Sequence, residues 1–590
     1  MLEPSDVSLD IERAERQASR QLHSPSNTDS PVEPDYPSSS SSDTHTNNDD
    51  DLSRQYTHRD IIPGPRNEDS NRIQLERQRT HLSIYSNTVG RTVNDYAAKD
   101  GLPPFGGGKE YPPQLPHREQ YVVEFEGSDD PMHGQNWPLK KKMITAAVLG
   151  YTTLVSAWGS SVFSSATEAV AIYFGISAEV AILGLSFYVL GFASGPLIWA
   201  PMSELKGRRL PLILGIFGFS IFQIAVAVAK DAQTVLICRF WGGFFASCPL
   251  AVVGAVFADI FTQETRGSAI AVFSMAVFSG PLIAPIAGGF ITESYLGWRW
   301  TEYTTAIMGF VALFLNIFFL EETYPPVILV AKASELRRLT RNWGIHAKQE
   351  EIEVNFKELI SKNFGRPLKL LFSEPIIFLL SLYTAFIYGI LYIFLTAYPI
   401  VFREIRGYTL GVAALPYLGM VIGMILGGLM VIAFQPWTNK RMRANNNVPI
   451  PEDRLVPAII GSIVFPIGLF WFSWSGNYPE VHWVVPTLAG IPIGIGLITI
   501  FLQSLNYLID AYLMFAASAI AANTFLRSAF AAGFPLFGRQ MFHNLGVNWA
   551  GSLLGFIAIA MIPIPISFFL FGARIRARSK WAPTTEVNGK

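Results

Sequence analysis

Charged residues set inside long apolar runs are the positions in this sequence with the most chemistry to do. Arg239 stands within the run 233–258, in Arg239-Phe-Trp-Gly242-Gly243, and Asp259 closes that run ahead of Arg266-Gly267. An arginine several residues into hydrocarbon is costly to hold, so such a position is read as functional by default; its other reading is a structural partner for backbone carbonyls. Carboxylates are scarce in the apolar part: Glu168 follows the first run, Glu302 starts the sixth, and Asp510 is expected near the inner end of the eleventh. Desolvation raises a carboxyl group's pKa towards working pH, which makes Glu168 and Glu302 the candidates for a coupled proton unless water solvates them. Asn523 and Arg527, one helical turn apart, would line a cavity from one face of the eleventh run. Tyr188, Trp241, Tyr383 and Tyr388 have rings that either stack on amphipathic or cationic molecules or pack in the core.

Two further constellations shape backbone and loops. Pro201-Met-Ser203-Glu204-Leu-Lys206-Gly207-Arg208-Arg209 follows the second apolar run. Gly207 permits a sharp reversal, and the cations can meet headgroups or a carboxylate. Ser279-Gly280-Pro281-Leu-Ile-Ala-Pro285-Ile-Ala-Gly288-Gly289 lies in the fifth run. Its prolines remove backbone donors and kink a helix, while its glycines offer a smooth packing face.

These residues must be carried by membrane-spanning helices. The 590 residues are 50% hydrophobic and only 15% charged, with 45 Lys+Arg against 46 Asp+Glu. A crossing helix needs roughly 20 apolar residues. Twelve runs qualify: 143–163, 181–201, 210–229, 233–258, 268–291, 301–320, 376–401, 409–434, 455–474, 482–503, 511–534 and 549–572. Lys140–Lys142, Lys206, Arg208, Arg209, Lys440, Arg441, Arg443 and the Arg574–Lys580 cluster all fall on one side of twelve crossings. The positive-inside rule makes that side, and both termini, cytoplasmic, with Arg403 and Arg406 the weakest fit; Trp137, Trp298, Trp300, Trp483 and Trp549 flank the runs as an interfacial belt would. Leu190-Gly191-x-x-x-Gly195 and Leu418-Gly419-x-x-x-Gly423 recur at equivalent places in two halves, as in a transporter built from repeats.

The expected organisation is a disordered tail at 1–140, a six-helix bundle at 141–320, a linker at 321–374, a second bundle at 375–573 and a short tail at 574–590. The first tail has no apolar segment of a signal peptide, and its Arg77-Gln-Arg79-Thr80-His-Leu-Ser83 run resembles a kinase site without being specific. Within the linker, Ile352, Phe356, Leu359 and Ile360 keep to one helical face, either coupling the halves or simply covering a surface. The balanced charge gives no support for nucleic-acid binding. Cys238 and Cys248 are too few for a disulfide scaffold, no His, Glu or Cys cluster has metal spacing, and no phosphate loop is present.

Taken together, the loop after the second run, the arginine of the fourth and the Gly-Pro/Gly-Gly pattern of the fifth resemble the signature motifs of the major facilitator superfamily over about residues 141–575. Glu204 replaces the usual Asp of the loop motif, and Leu205 stands where an Arg is common. Gly297-Trp-Arg-Trp-Thr-Glu302-Tyr, Glu321-Glu-Thr-Tyr-Pro-Pro-Val, Leu336-Arg-Arg and Asn506-Tyr-Leu-Ile-Asp510-Ala-Tyr resemble fungal twelve-span drug:proton antiporters, most nearly the polyamine and multidrug exporters. The resemblance implies an all-α membrane fold of two six-helix bundles, and a monomer that exports drugs, toxins or polyamine-like cations against protons, with no cofactor and no enzymatic activity. It implies that Glu204, Gly207, Arg208, Arg209 and Asp259 form a cytoplasmic gate, against the alternative of topogenic charges on a wet loop. Arg239, with Glu168, Glu302, Asn523 and Arg527, would serve the cavity and proton coupling, and Gly280, Pro281, Pro285, Gly288 and Gly289 would form the antiporter helix motif. A fungal plasma membrane is the implied location, with the vacuolar membrane an alternative. A facilitator, an uptake symporter, a dedicated secondary-metabolite pump and a non-transporting receptor stay open.

Overall fold

The computed structural model describes residues 121–126, 129–340, 342–351, 365–445, 450–512, 515–579 and 581. Most of the first tail, the kinase-like run and the amphipathic stretch at 352–360 therefore lie outside the described residues. The spans are α1 (Leu139–Ser165), α2 (Ala178–Lys206), α3 (Arg209–Ala227), α4 (Ala232–Ile260), α5 (Thr265–Glu293) and α6 (Arg299–Phe319). After a linker helix at Pro325–Thr340 come α7 (Pro375–Ile405), α8 (Leu410–Ala444), α9 (Pro451–Gly476) and α10 (Val484–Ala511).

The remaining apolar stretch, Ser518–Arg576, runs for 59 residues. At 1.5 Å per residue that is about 88 Å, far beyond the roughly 30 Å of a hydrocarbon core. Gly546 resolves this, because its φ of 75° and ψ of 158° lie outside the helical region. A left-handed φ suits glycine, so the chain reverses there into α11 (518–545) and α12 (547–576). Twelve crossings result among the described residues. The run boundaries shift at the end of the chain: α10 continues to Ala511, so Asp510 belongs to the end of the tenth span, not the eleventh.

α1–α6 pack as one bundle and α7–α12 as another, and the two meet along α2 with α11 and α5 with α8. The faces turned away from the bundles are oily. On α3 they carry Leu210, Leu214, Phe217, Ile221 and Ile224, and on α9 Ile460, Ile463, Ile467, Trp471 and Trp474, all exposed at helical spacing. Such apolar stripes belong in lipid. The recurring glycines have one job in both halves. A Cβ on Gly191 would come within 2.4 Å of Phe244 N on α4, and one on Gly423 within 2.1 Å of Ile491 O on α10. Bare backbone is thus what lets α2 lie on α4 and α8 on α10.

Candidate functional site

Three groups of charge sit at different depths. The first lies at the end of the bundles where the linker helix runs. Gly207, at φ 86°, turns the chain between α2 and α3. Arg208 then points back, its Nε 3.2 Å from Asp259 Oδ2 and its Nη1 donating to Ser203 Oγ at 2.8 Å. Its guanidinium lies 4.4 Å from the Tyr324 ring centroid. Glu322, just beyond α6, accepts the backbone N–H of Arg208 at 2.8 Å, Arg209 at 3.1 Å, Thr323 at 3.0 Å and Tyr324 at 2.9 Å. A carboxylate at the first amides of α3 satisfies orphan donors and complements the helix dipole. Arg209 donates to Ile317 O at 2.9 Å.

Among the described residues Glu204 makes no ion pair or side-chain hydrogen bond in this network: its side chain is exposed, its carbonyl accepts Gln349 Nε2 at 3.3 Å, and its charge reaches the cluster only at Tyr324. The acidic position of the cluster is taken instead by Glu322. In the sequence the Glu321-Glu-Thr-Tyr stretch stands only as a family marker, because nothing in the spacing connects it with a loop 114 residues earlier. Burial of the Tyr324 ring raises its hydroxyl's pKa, with Glu204 nearby adding to the effect and Arg208 opposing it.

The second half contains a counterpart. Arg454, in the opening turn of α9 where Arg208 lies just ahead of α3, places Nε 2.9 Å from Asp510 Oδ2 at the end of α10 and Nη1 3.2 Å from Gln435 Oε1 of α8. Glu452 next to it is clamped by Arg576 of α12 at 2.7 and 2.9 Å. Each half therefore ties its second helical hairpin to its fourth and sixth helices at this end. Both networks lie within their own half.

The second group is buried within the first half. Arg239 and Glu302 are fully buried, with Nη1 3.7 Å from Oε1. Arg239 also donates to Gly184 O at 3.1 Å, Gly159 O at 2.9 Å and Ser160 O at 3.4 Å, and faces the rings of Tyr188 and Phe163 at 4.4 and 4.7 Å. Neither oxygen of Glu302 has a hydrogen-bond partner among the described residues. Glu302 is shut off from the solvent, whereas Glu168 is exposed and pairs with Arg403 across the far-side rim between the halves. Arg403, a poor fit to the loop charge pattern, is explained by that partner. Glu293 of α5 crosses the same rim to the backbone amide of Gly411 at 3.1 Å, opening α8.

The third group is at mid-depth between the halves. Asn523 donates to Thr384 Oγ1 at 2.6 Å on α7. Arg527, one turn on, faces Tyr388 of α7 at 5.0 Å and Phe501 of α10 at 4.9 Å. Phe278 of α5 approaches from the other half, 4.6 Å from Phe501 and 5.8 Å from Tyr388. Tyr392 bridges to Ser160 of α1 at 2.9 Å. Of the other aromatics singled out, Tyr188 and Tyr383 are fully buried and Trp241 is exposed among Phe222, Phe240 and Phe244.

In α5, Gly280 lies against α1, where a Cβ would meet Leu154 O at 3.0 Å, and Gly288 does the same at Val162 O, 3.1 Å. Gly289 looks the other way, where a Cβ would come within 2.9 Å of Gly411 Cα on α8. Pro281 and Pro285 lie inside the helix, and the Pro285 carbonyl accepts Ser165 Oγ at 2.9 Å. One motif therefore serves both the packing of its own half and the seam between halves.

A family model described as the Major Facilitator Superfamily matches residues 149–535. An uncharacterized transporter of Schizosaccharomyces pombe is 56% identical over 468 residues, 79% of this chain and 87% of the relative. The major facilitator superfamily multidrug transporter FLU1 of Candida albicans is 49% identical over 511 residues, covering 86% of this chain and 83% of its own. Multidrug transporter TPO1_2 of Candida glabrata is 47% identical over 500 residues, covering 85% and 86%. Among solved structures, the proton:xylose symporter XylE bound to 6-bromo-6-deoxy-D-glucose superposes with a TM-score of 0.54 at 16% identity, over 74% of this chain and 96% of that one. That likeness concerns the fold.

Proposed function

The chain belongs to the major facilitator superfamily, multi-pass membrane transporters of small molecules, and from that premise we propose that it exports drugs and other amphipathic molecules by proton-coupled alternating access. The names of the FLU1 and TPO1_2 relatives support multidrug efflux. The single observation that supports proton coupling is the buried Glu302 beside Arg239, with both carboxylate oxygens lacking a hydrogen-bond partner among the described residues. A carboxylate shut off from the solvent next to one cation is stable ionised only while that cation faces it, so protonation and a shift of Arg239 are coupled events. Arg239 already holds three carbonyls of α1 and α2, which gives such a shift a route into helix packing.

The two linker-side networks, including Gly207, Arg208, Arg209 and Asp259, keep each half rigid while it rocks against the other. The far-side contacts made by Glu168 and Glu293 are the ones that must part when access changes. We place the linker side in the cytoplasm, the protein in the plasma membrane as a monomer, and the proton gradient as the energy source in place of a cofactor.

The test is flux in vesicles containing the full chain, with an imposed pH gradient and a panel of neutral, anionic and cationic amphipathic dyes followed one by one. Gradient-driven accumulation of at least one dye, abolished by an uncoupler, is expected. E302Q should lose gradient-driven accumulation yet retain exchange of labelled for unlabelled dye. Accumulation indifferent to the uncoupler would make the protein a facilitator.

A further inference from the structure

Arg527 is a charge in the middle of the protein for which the described residues supply no counter-charge. Five other shielded arginines are provided for. Arg208, Arg239 and Arg454 have Asp259, Glu302 and Asp510, while Arg299 and Arg406 donate to backbone carbonyls such as Ala227 O and Ser475 O. Arg527 makes neither an ion pair nor a hydrogen bond among the described residues, and its Nε is shielded from solvent without an acceptor. Its neighbours are the faces of Tyr388 and Phe501. It lies nine residues on from Ser518, where α11 starts, which at 1.5 Å per residue is roughly 14 Å deep, near the bilayer midplane.

Ring faces attract a cation, but they cannot replace the hydrogen bonds a guanidinium loses on leaving water. Arg527 is half-buried, and a planar fork whose Nε is shut off from water and whose donors meet no acceptor among the described residues is matched best by a carboxylate or another flat oxyanion. The rings define what should accompany that group. Tyr388, Phe501 and, from the opposite half, Phe278 are buried and converge beside the guanidinium. No carboxylate pairs with Arg527 to receive an ammonium group, so a polycation would meet a like charge here.

We propose that the seam between the halves binds amphipathic organic anions, with the anionic head on the Arg527 guanidinium and the apolar or aromatic body among Phe278, Tyr388 and Phe501. This rests on the transporter reading above and sharpens its substrate class, away from polyamine-like cations at this position. Because the site draws rings from both halves, a bound anion also gives them a reason to close together.

Binding to the purified full chain in lipid nanodiscs tests it, using 4-phenylbutyrate, 4-phenylbutanol and 4-phenylbutylamine, which share a body and differ in head charge. The wild type should bind the carboxylate about tenfold or more tighter than the alcohol, and the amine most weakly. R527Q should erase the advantage of the carboxylate, and R527K should keep the order at reduced affinity. A wild type that prefers the amine or the alcohol, or an order unchanged in a folded R527Q, overturns the proposal; the wild-type order decides even if R527Q does not fold. No gradient is involved, so correct ordering without flux would refute the transport reading alone, and gradient-driven flux with the reverse ordering would refute this one alone.

Discussion

Arg208 illustrates how much one side chain does in this protein. It holds Asp259, Ser203 and the Tyr324 ring together, and both it and Asp259 are largely shielded. Removing one partner of such a pair leaves the other charge uncompensated, at a cost of about 3 kcal/mol. R208A should therefore lower the thermal midpoint of the detergent-solubilised protein sharply, whereas R208Q/D259N, which leaves neither charge, should recover most of the loss. Glu322 acts through backbone rather than through a cation. E322A should cost about 1–2 kcal/mol, the range of a lost helix cap, while E204A, which removes an exposed side chain outside the network, should change the midpoint little. Equal effects of E322A and E204A would show that the loop is held by something other than these amides.

At the scale of elements, close approach of backbones sets the geometry of each half. Gly423 touches Ile491 O, and any Cβ there pushes α8 off α10. G423A is expected to destabilise by about 1–3 kcal/mol, the range of overpacking in a tight core. G533A, where a Cβ meets open space, is the matched control and should be close to neutral. The segment leading into α1 depends on one carboxylate. Asp130 accepts the backbone N–H of Glu126 at 3.0 Å and of Met132 at 2.8 Å, and Lys332 of the linker helix lies 3.9 Å away. Those amides, and more weakly Lys332, hold its carboxyl below the usual range. A depressed folded-state pKa stabilises the turn above the ordinary Asp range, and that stability is lost as pH falls through the lowered value. Proteolysis near residues 121–137 should rise in acid, and D130N should show the same susceptibility already at neutral pH.

For the molecule as a whole, the contacts that join the halves differ from those that brace them. Arg403 and Glu168 cross the far-side rim and are half-exposed or more, so the pair contributes only about 0–1 kcal/mol. That is too little to lock the protein but enough to bias two access states several-fold. R403E should speed hydrogen–deuterium exchange of the short helix at Thr167–Phe174, and R403E/E168R should restore it. An unchanged exchange rate in R403E would remove this pair from the gating contacts.

The span count, the division into halves and the matching glycine pairs were all legible in the sequence, because lipid forces long apolar helices and helix contact forces small residues, both of which are local patterns. Arg239, Glu302 and Arg527 could likewise be picked out, since any charge in an oily run is conspicuous. Their partners could not. That Glu302 lies beside Arg239, that Glu322 supplants Glu204, that Asp510 ends the tenth span and that Arg527 has only rings for company depend on which helices are neighbours. Helix adjacency is settled by packing across dozens or hundreds of residues, and no spacing along the chain records it.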